Sequence, residues 1–487
     1  MEVETGRTAT VSELCAARVG SALAQHGPLH GRRILLGLPP GIPWIESFVG
    51  IVRAGAVVVP LPLGAPAAEL AYFASDSGAT LAVADEERAA KMPAGMEVID
   101  PEETLSSFRK PTSSAPAPAG PTPSADDVAM LLYTSGTTGK PKGARITHAN
   151  LAAQTAALRE AWGMRASDTL LHALPMHHLH GIVVAMLTAL TTPCRVRMLS
   201  KFDAARVIEE LPRSTVLMAV PTMYQRILDA ADALDVPARQ AFATAARSLR
   251  LATSGSAALP VVLAERWRSY ARAIPLERYG MTEIGMALSN PLDPSGRRAG
   301  TVGRPLPSVE VRIVGEDGAP AESGELWVRG PSVFAGYHER DEATREAFKE
   351  GWFMTGDVAT RDEAGSFRLL GRSSVDILKS GGEKVSALEI EESLLEHAAI
   401  REVAVVGLPD AEWGDRVTAA VVLAPGSVLG IAELRAWCKD RLAPYKVPRS
   451  LVILEALPRN AMGKVEKKVL VETISRNGGL ARAPTRS

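Results

Sequence analysis

The sequence predicts an α/β protein in which a large N-terminal domain of helix-covered sheets, with a small barrel, precedes a smaller α+β domain. The chain has 487 residues, which is more than one hydrophobic core usually serves. Short apolar runs alternate with helix-like segments in its first part, a pattern typical of a parallel sheet covered by helices. From Val309 onwards, apolar and polar residues alternate, which indicates antiparallel strands. We place the two domains at residues 1–371 and 372–487.

The elements follow in order along the chain. The first domain begins with predicted strands at 33–38, 57–59 and 80–84 and predicted helices at 44–54 and 69–77. Residues 110–123 are rich in Pro, Ser, Thr and Ala and are interpreted as a solvated connector within this domain.

The later part of the chain has a different pattern. Strands at 309–314 and 325–330 flank a Gly-Glu-Asp-Gly turn, which predicts an antiparallel hairpin. The second domain is predicted to contain helices at 387–396 and 431–442 and strands at 403–407 and 419–423.

Composition excludes several functions. The 54 basic and 55 acidic residues nearly balance, so charge gives no case for binding nucleic acid or a membrane surface. The three cysteines, Cys15, Cys194 and Cys438, have neither metal-site nor disulfide spacing, which fits a reducing compartment. No basic leader precedes an apolar run at the start, and no run is long enough for a membrane span. We therefore expect a cytoplasmic protein.

The most informative segment is the loop from Leu132 to Gly143. It places hydroxyls, glycines and lysines directly after an apolar strand-like run. Backbone N–H groups and hydroxyls in such a loop suit phosphate oxygens, and lysine adds a mobile positive charge. The Walker A pattern is excluded because Thr134 stands where its first glycine belongs and Pro141 follows Lys140. The loop is therefore expected to hold a polyphosphate.

Eight motifs in order resemble the adenylate-forming family, which includes acyl-CoA synthetases, non-ribosomal adenylation domains and firefly luciferase. They lie at 133–143, 175–181, 254–257, 279–283, 324–325 with 336–337, 355–357, 371–372 and 458–464. The resemblance covers nearly the whole chain. It implies a two-step reaction in which a carboxylate attacks the α-phosphate of ATP, and a thiol, usually that of coenzyme A, then attacks the acyl-adenylate.

The resemblance assigns roles at the nucleotide. The β- and γ-phosphates would lie on Thr134, Ser135, Gly136, Thr137, Thr138, Gly139 and Lys142. Thr282 resembles the hydroxyl that binds the α-phosphate, and Glu283 the carboxylate that holds Mg²⁺ through water. Asp357 would accept hydrogen bonds from the ribose hydroxyls with help from Arg372. The adenine would meet Ser254, Gly255, Ser256 and the ring of Tyr279.

The second domain resembles a mobile lid. Lys464 is the expected catalytic lysine, bridging the attacking carboxylate and the α-phosphate. Gly381 and Gly382 resemble the loop that lines the pantetheine tunnel, so that a rotation would exchange Lys464 for these glycines. The segment between Arg372 and Gly381 has one residue more than the common pattern and serines where Asp or Lys is usual. Either Ser374 or Val375 could be the pivot.

The acid pocket is expected at His178, Leu179, Ser254, Arg278, Met281 and Met286. A zinc site among His172, His177, His178 and His180 is disfavoured because neither Cys nor a carboxylate completes a ligand set. His178 instead resembles the family's gate residue. Arg278 could pair with a second carboxylate of the substrate, or with Glu277 or another acid of the protein. The motifs are most similar to the malonyl-CoA and methylmalonyl-CoA synthetase branch.

Three alternatives stay open at this point. The acid could be a short or medium fatty acid, the acceptor could be a carrier-protein thiol, or the chain could bind adenylates without catalysis. The segment at Ser12–Leu14 resembles a point some way into the family's first domain, so the usual preceding segment is expected to be short or absent. The sequence does not fix the oligomeric state.

Overall fold

In the computed structural model of the chain, the described residues are 1–14, 18–101, 122–134, 140–460 and 463–476. They form four sheets with helices between them, and the α/β class is confirmed. Most of the connector predicted at 110–123 lies outside the described residues. No helix in the described ranges is long and apolar enough to cross a membrane.

The first sheet has the order β4-β3-β1-β2-β5-β6 and is parallel except for the β5–β6 pair. Its strands are β1 (Arg33–Gly37), β2 (Val57–Pro60), β3 (Leu81–Ala84), β4 (Glu97–Ile99), β5 (Val128–Thr134) and β6 (Lys142–Thr147). The helices of this part are α1 (Val11–Leu14), α2 (Arg18–Leu23), α3 (Ile42–Arg53), α4 (Ala67–Ser77), α5 (Glu86–Ala89) and α6 (His148–Ala161). The early strands and helices predicted from sequence are confirmed, with small shifts at their ends.

The second sheet has the order β13-β12-β11-β10-β9-β7-β8, parallel from β8 to β11 and antiparallel beyond. Its strands are β7 (Thr169–His172), β8 (Arg195–Met198), β9 (Val216–Ala219), β10 (Leu251–Ser254), β11 (Leu276–Met281), β12 (Gly285–Ser289) and β13 (Arg304–Pro305). Its helices are α7 (His180–Leu187), continued by α8 (Thr188–Thr191), then α9 (Ala204–Glu210), α10 (Pro221–Asp232), α11 (Val236–Ser248) and α12 (Val261–Tyr270). The inner strands β7, β9, β10 and β12 are buried, as expected of a sheet covered on both faces, whereas the edge strands β8 and β13 are largely or fully accessible.

The hairpin predicted after Val309 is part of a five-stranded antiparallel sheet. Its strands are β14 (Glu310–Val314), β15 (Ser323–Arg329), β16 (Phe348–Lys349), β17 (Trp352–Arg361) and β18 (Phe367–Arg372), with α13 (Asp341–Ala347) before β16. The last sheet has the order β20-β19-β22-β21, and β23 pairs with β22. Its elements are β19 (Ile377–Ser380), β20 (Glu383–Ser386), β21 (Ile400–Asp410), β22 (Gly414–Leu423), β23 (Ser450–Ile453), α14 (Ala387–Leu395), α15 (Ile431–Lys439) and α16 (Lys467–Arg476).

Buried apolar residues fall into separate clusters along the chain. Those up to Phe367 form one large cluster and a smaller one on the first sheet, whereas those from Leu378 onwards pack on both faces of the last sheet. We propose on this basis that the domain boundary lies at residues 371 and 372, where the sequence predicts it.

Candidate active site

The site residues predicted from sequence lie where parallel strands end. Thr134 ends β5, Ser254 ends β10 and Met281 ends β11. In open α/β sheets, ligands bind beyond the carboxyl ends of the strands, because the connecting loops there leave a crevice. Because β10 and β11 are neighbouring parallel strands, this topology places the Ser254–Ser256 loop and the Thr282 turn at the same edge of the second sheet.

The two ends of the phosphate loop are fixed by neighbouring side chains. Thr134 Oγ1 donates a hydrogen bond to the Lys142 carbonyl at 3.4 Å, across the β5–β6 pair. Lys142 Nζ lies 5.1 Å from the centroid of the Tyr337 ring. The residues between these ends, Ser135, Gly136, Thr137, Thr138 and Gly139, lie outside the described residues, so their predicted contacts stay a prediction.

Glu283 lies in the turn between β11 and β12. It is 5% exposed, and its Oε1 accepts a hydrogen bond of 3.0 Å from the Tyr337 hydroxyl. Burial raises the pKa of this carboxyl. The turn is held by the Ser332 hydroxyl, which donates to the Ile284 carbonyl, and by the Phe334 N–H, which donates to the Glu283 carbonyl. Thr282 is in the same turn and is half-buried.

The surroundings of Glu283 fit a magnesium ion that is held partly by this carboxylate and partly by a bound substrate. Within the described ranges no group of three or more His, Cys, Asp or Glu side chains could hold a metal, and Glu283 makes no ion pair there. The protein therefore offers one buried carboxylate whose charge a cation would compensate. Mg²⁺ keeps waters and binds substrate phosphates in sites of this kind.

Asp357, the predicted ribose ligand, makes three hydrogen bonds. Its carboxylate accepts from Arg372 Nε at 3.0 Å and Nη2 at 3.3 Å, and from the Tyr279 hydroxyl at 2.6 Å. Gly356 before it has φ +72°, which favours glycine, and donates its N–H to Glu325. These contacts hold the carboxylate in place, and the one from Tyr279 was missed by the sequence analysis.

Arg278 is a buried cation that forms no ion pair with an acidic side chain of the described residues. It is 2% exposed, and neither its Nε nor its Nη2 has a hydrogen-bond partner in the described part of the chain. Burial lowers its pKa to about 9, which leaves it cationic at neutral pH. Glu277 does not pair with it: Glu277 Oε1 instead accepts from the Leu259 N–H at 2.8 Å. Among the described residues, the alternative of an internal ion pair is therefore not observed.

Two other buried polar side chains each have one atom without a hydrogen-bond partner among the described residues, namely His180 Nε2 and Ser254 Oγ. His180 is 4% exposed, and its Nδ1 lies 3.3 Å from the Ser256 hydroxyl. Burial, and then the charge of Arg278, lower the pKa of His180 well below its ordinary value. The Ser254 hydroxyl is fully buried without a partner among the described residues. Buried polar atoms without a partner are rare in folded proteins, which makes these side chains candidates for contact with a bound ligand.

Apolar side chains and the neighbouring histidines complete this region. Leu179 and Met286 are buried and Met281 is half-buried. The rings of His177 and His178 have centroids 4.0 Å apart, and burial lowers the pKa of His178 to about 3. His178 is therefore a neutral imidazole at physiological pH, which suits a gate next to an anionic ligand.

The lysine loop of the C-terminal part lies against α10. A Cβ atom at Gly463, which has φ +75°, would be 2.8 Å from Thr222 Oγ1, and the next residue, Lys464, is exposed. Gly381 and Gly382 have positive φ values and are exposed, with Gly381 next to Trp413. The structure thus brings the lysine loop to the N-terminal part while the glycine pair stays accessible.

Sequence reasoning missed three further residues. Tyr337 was noted only as part of a motif. Asp376 and Lys467 form a buried ion pair with a separation of 2.6 Å. The lysine-rich run in which Lys467 stands suggested a solvated face, but Lys467 is 9% exposed. A possible signal was its position in the apolar stripe of α16 with Leu470 and Ile474.

Comparisons with known proteins show which family the chain resembles along its length. The family model described as AMP-binding enzyme matches residues 4–338, and that described as AMP-binding enzyme C-terminal domain matches residues 389–464. Malonate–CoA ligase ACSF3, mitochondrial, of Mus musculus is 44% identical over 463 residues, which is 87% of this chain and 79% of that protein. Malonate–CoA ligase of Arabidopsis thaliana is 40% identical over 483 residues, with 92% and 79% covered.

Solved structures give the same picture. ATP-bound MatB from Rhodopseudomonas palustris has a TM-score of 0.87 at 36% identity and covers 95% of this chain and 93% of its own. A malonyl-CoA ligase product complex with methylmalonyl-CoA and AMP has a TM-score of 0.67 at 38% identity, with 93% and 95% covered.

Proposed function

The chain belongs to the family of AMP-binding enzymes, and from this premise we propose that it joins malonate or methylmalonate to coenzyme A. The reaction is AMP-forming, with ATP and coenzyme A as co-substrates. Several relatives with similarity over most of the chain are named malonate–CoA ligases. The cytoplasmic location expected from sequence stays a prediction, because some of these relatives are named mitochondrial.

The observation that carries the choice of acid is the unpaired Arg278. A buried guanidinium is costly unless an anion compensates it. Its planar fork matches a carboxylate with two parallel hydrogen bonds. A monocarboxylic acid brings only the group that reacts, whereas malonate brings a second carboxylate for Arg278. The neutral His180 and the Ser254 hydroxyl offer further polar contacts to that group.

In the first half-reaction, an oxygen of the other carboxylate attacks the α-phosphorus of ATP and pyrophosphate leaves. The chain's contribution is positioning and compensation of charge. Asp357 with Arg372 would fix the ribose, Thr282 the α-phosphate, and Lys464 would neutralise charge between the reacting groups. Glu283 would hold Mg²⁺, which supplies positive charge to the phosphates when bound.

In the second half-reaction, the coenzyme A thiol attacks the acyl carbon, and AMP leaves with the bonding electron pair. Exposed Gly381 and Gly382 would let the pantetheine arm approach the backbone closely. A carrier-protein thiol is the alternative acceptor, and short or medium fatty acids are the alternative acids. No described feature favours either alternative over coenzyme A and a diacid.

The test is ATP–pyrophosphate exchange with malonate, methylmalonate, succinate, acetate and butyrate, followed by mass analysis of the thioester formed on coenzyme A or on a carrier protein. We expect exchange to be fastest with malonate or methylmalonate and to stop when EDTA removes Mg²⁺. Faster exchange with butyrate than with malonate would overturn the diacid assignment. A lack of exchange with every acid would overturn the reaction itself.

A further inference from the structure

A buried lysine connects the C-terminal part to the turn that joins it to the rest of the chain. Lys467 Nζ lies 2.6 Å from Asp376 Oδ1 and 2.7 Å from Glu391 Oε1. All three side chains are at most 15% exposed. Lys467 is the first residue of α16, three positions after Lys464, and Glu391 lies on α14. The ammonium thus joins three separate segments at one point.

Asp376 forms hydrogen bonds with Arg372, which precedes it in the chain, and with Ala387, which follows it. Its Oδ2 accepts from the Arg372 N–H at 3.0 Å, and the Asp376 N–H donates to the Arg372 carbonyl at 2.7 Å. On the other side its own carbonyl accepts from the Ala387 N–H at 2.8 Å, at the start of α14. Arg372 in turn holds Asp357. A continuous set of contacts therefore leads from Lys467 to the proposed ribose ligand.

Ser373 is hydrogen-bonded to the N-terminal part of the chain, on the other side of this turn. Its N–H and its hydroxyl both donate to the Gly356 carbonyl, at 2.9 and 3.0 Å, which ties it to β17. Asp376 is tied to α14 and α16 by Lys467, Glu391 and Ala387. Ser374 and Val375 lie between these two anchors, and Ser374 is exposed. A rotation of the C-terminal part about this turn would also have to break the hydrogen bonds that Val375 and Asp376 form with Arg372.

The charges of this cluster are strongly interdependent. Burial opposes ionisation of Asp376, yet Lys467 lowers the pKa of its carboxyl below the ordinary value. Burial also works against the charge of Lys467, but Glu391 and Asp376 raise the pKa of its ammonium. Loss of one partner from a buried ionic cluster leaves the others unpaired, whereas an intact cluster can fix the register of the segments it joins.

We propose that Lys467 is a positioning residue that fixes the turn at Asp376 to α14 and α16, and thereby sets where the Lys464 loop is delivered. The proposal rests on the proposed function for its kinetic consequence. Lys467 does not contact the reacting atoms. It acts by making the turn after Val375 part of the same rigid unit as Lys464. The position of Lys464 then matters for the rate, because displacement of a reacting group by about 1 Å can cost 10²-fold in rate.

The test compares Lys467→Met with Lys467→Arg, and with Lys446→Met as matched control. Lys446 forms an ion pair of 2.6 Å with Glu389 on the same helix α14, and its side chain has no hydrogen bond or ion pair with the described residues of the turn. We expect Lys467→Met to lower kcat for malonate-dependent pyrophosphate exchange by at least about tenfold, with KM for ATP within about twofold. Trypsin should also cut after Arg372 faster in the folded variant. Lys467→Arg should keep both kcat and the rate of cleavage after Arg372 close to those of the unmodified protein.

The control defines the result that would overturn the proposal. If Lys467→Met changes kcat and cleavage no more than Lys446→Met does, Lys467 contributes only to stability. Should Lys467→Met fail to fold, Asp376→Asn weakens the same contact from the turn, and an unchanged cleavage rate after Arg372 would equally overturn the proposal. Absence of exchange in the unmodified protein would refute the proposed function instead, and the cleavage measurement would still decide the role of Lys467.

Discussion

Replacement of Arg278 by methionine is the most direct test of the acid pocket. The guanidinium is 2% exposed and lacks an acidic partner in the described part of the chain. If malonate binds as proposed, its second carboxylate would accept two charge-assisted hydrogen bonds from Arg278, each worth about 1.5–3 kcal/mol. Breaking a buried pair of this kind costs about 3–5 kcal/mol, which corresponds to a loss of about 10²- to 10⁴-fold in kcat/KM for malonate.

Although Arg278→Met should impair malonate activation, it should stabilise the protein when no substrate is bound. Methionine has a similar length, carries no charge, and fills irregular apolar space. Since it removes a buried cation that has no ion pair among the described residues, we expect Arg278→Met to raise the free energy of unfolding of the ligand-free protein by about 1–3 kcal/mol. Denaturant unfolding without substrates measures this. Loss of malonate activity together with gain of stability would separate a substrate-binding role from a structural one.

Pyrophosphate exchange with malonate and with butyrate supplies the assay. Butyrate should keep its rate in Arg278→Met because its alkyl chain needs no cation. Arg278→Lys keeps the charge but loses the planar fork, so we expect an intermediate loss for malonate. The reasoning is refuted if malonate exchange is unchanged in Arg278→Met, or if butyrate exchange falls in parallel with it.

Further predictions concern the other groups of the site. Lys464→Ala should abolish exchange yet leave coenzyme A transfer from supplied malonyl-adenylate largely intact, and equal loss of both steps would contradict its role. Asp357→Asn should raise KM for ATP far more than KM for 2′,3′-dideoxy-ATP, in steady-state assays of both nucleotides. Burial lowers the pKa of His177 to about 4 and of His178 to about 3, so the unfolded chain binds more protons below about pH 6.5. The free energy of unfolding should then fall with decreasing pH by up to about 1.4 kcal/mol per pH unit for each ring. The double variant His177→Asn, His178→Asn should reduce this slope in denaturant unfolding between pH 5 and 7.

The sequence predicted β1, β2 and β3, and the apolar run of β5, because each is a short apolar run bounded by turn residues. Strands β4 and β6 were not predicted, because they are short or rich in polar residues. The location of the site stays a prediction that rests on the order of the motifs. Strand ends and motifs are local properties of the chain, and local patterns are read well from one sequence.

Contacts between distant segments could not be predicted in the same way. Tyr279 and Asp357 are 78 residues apart, and Lys467 and Asp376 are 91 apart. A lysine in a charged run is interpreted as exposed unless its partners are known, and both partners of Lys467 come from other elements. The unpaired state of Arg278 likewise depends on Glu277 pointing to the Leu259 N–H, which only the folded backbone determines.

The absence of a side chain at Gly255 has a consequence for redesign. A Cβ atom there would overlap the guanidinium of Arg278, so the two positions share one volume. Any side chain at residue 255 would thus require the guanidinium of Arg278 to move or to be removed. The two positions are therefore coupled in any redesign of the acid pocket.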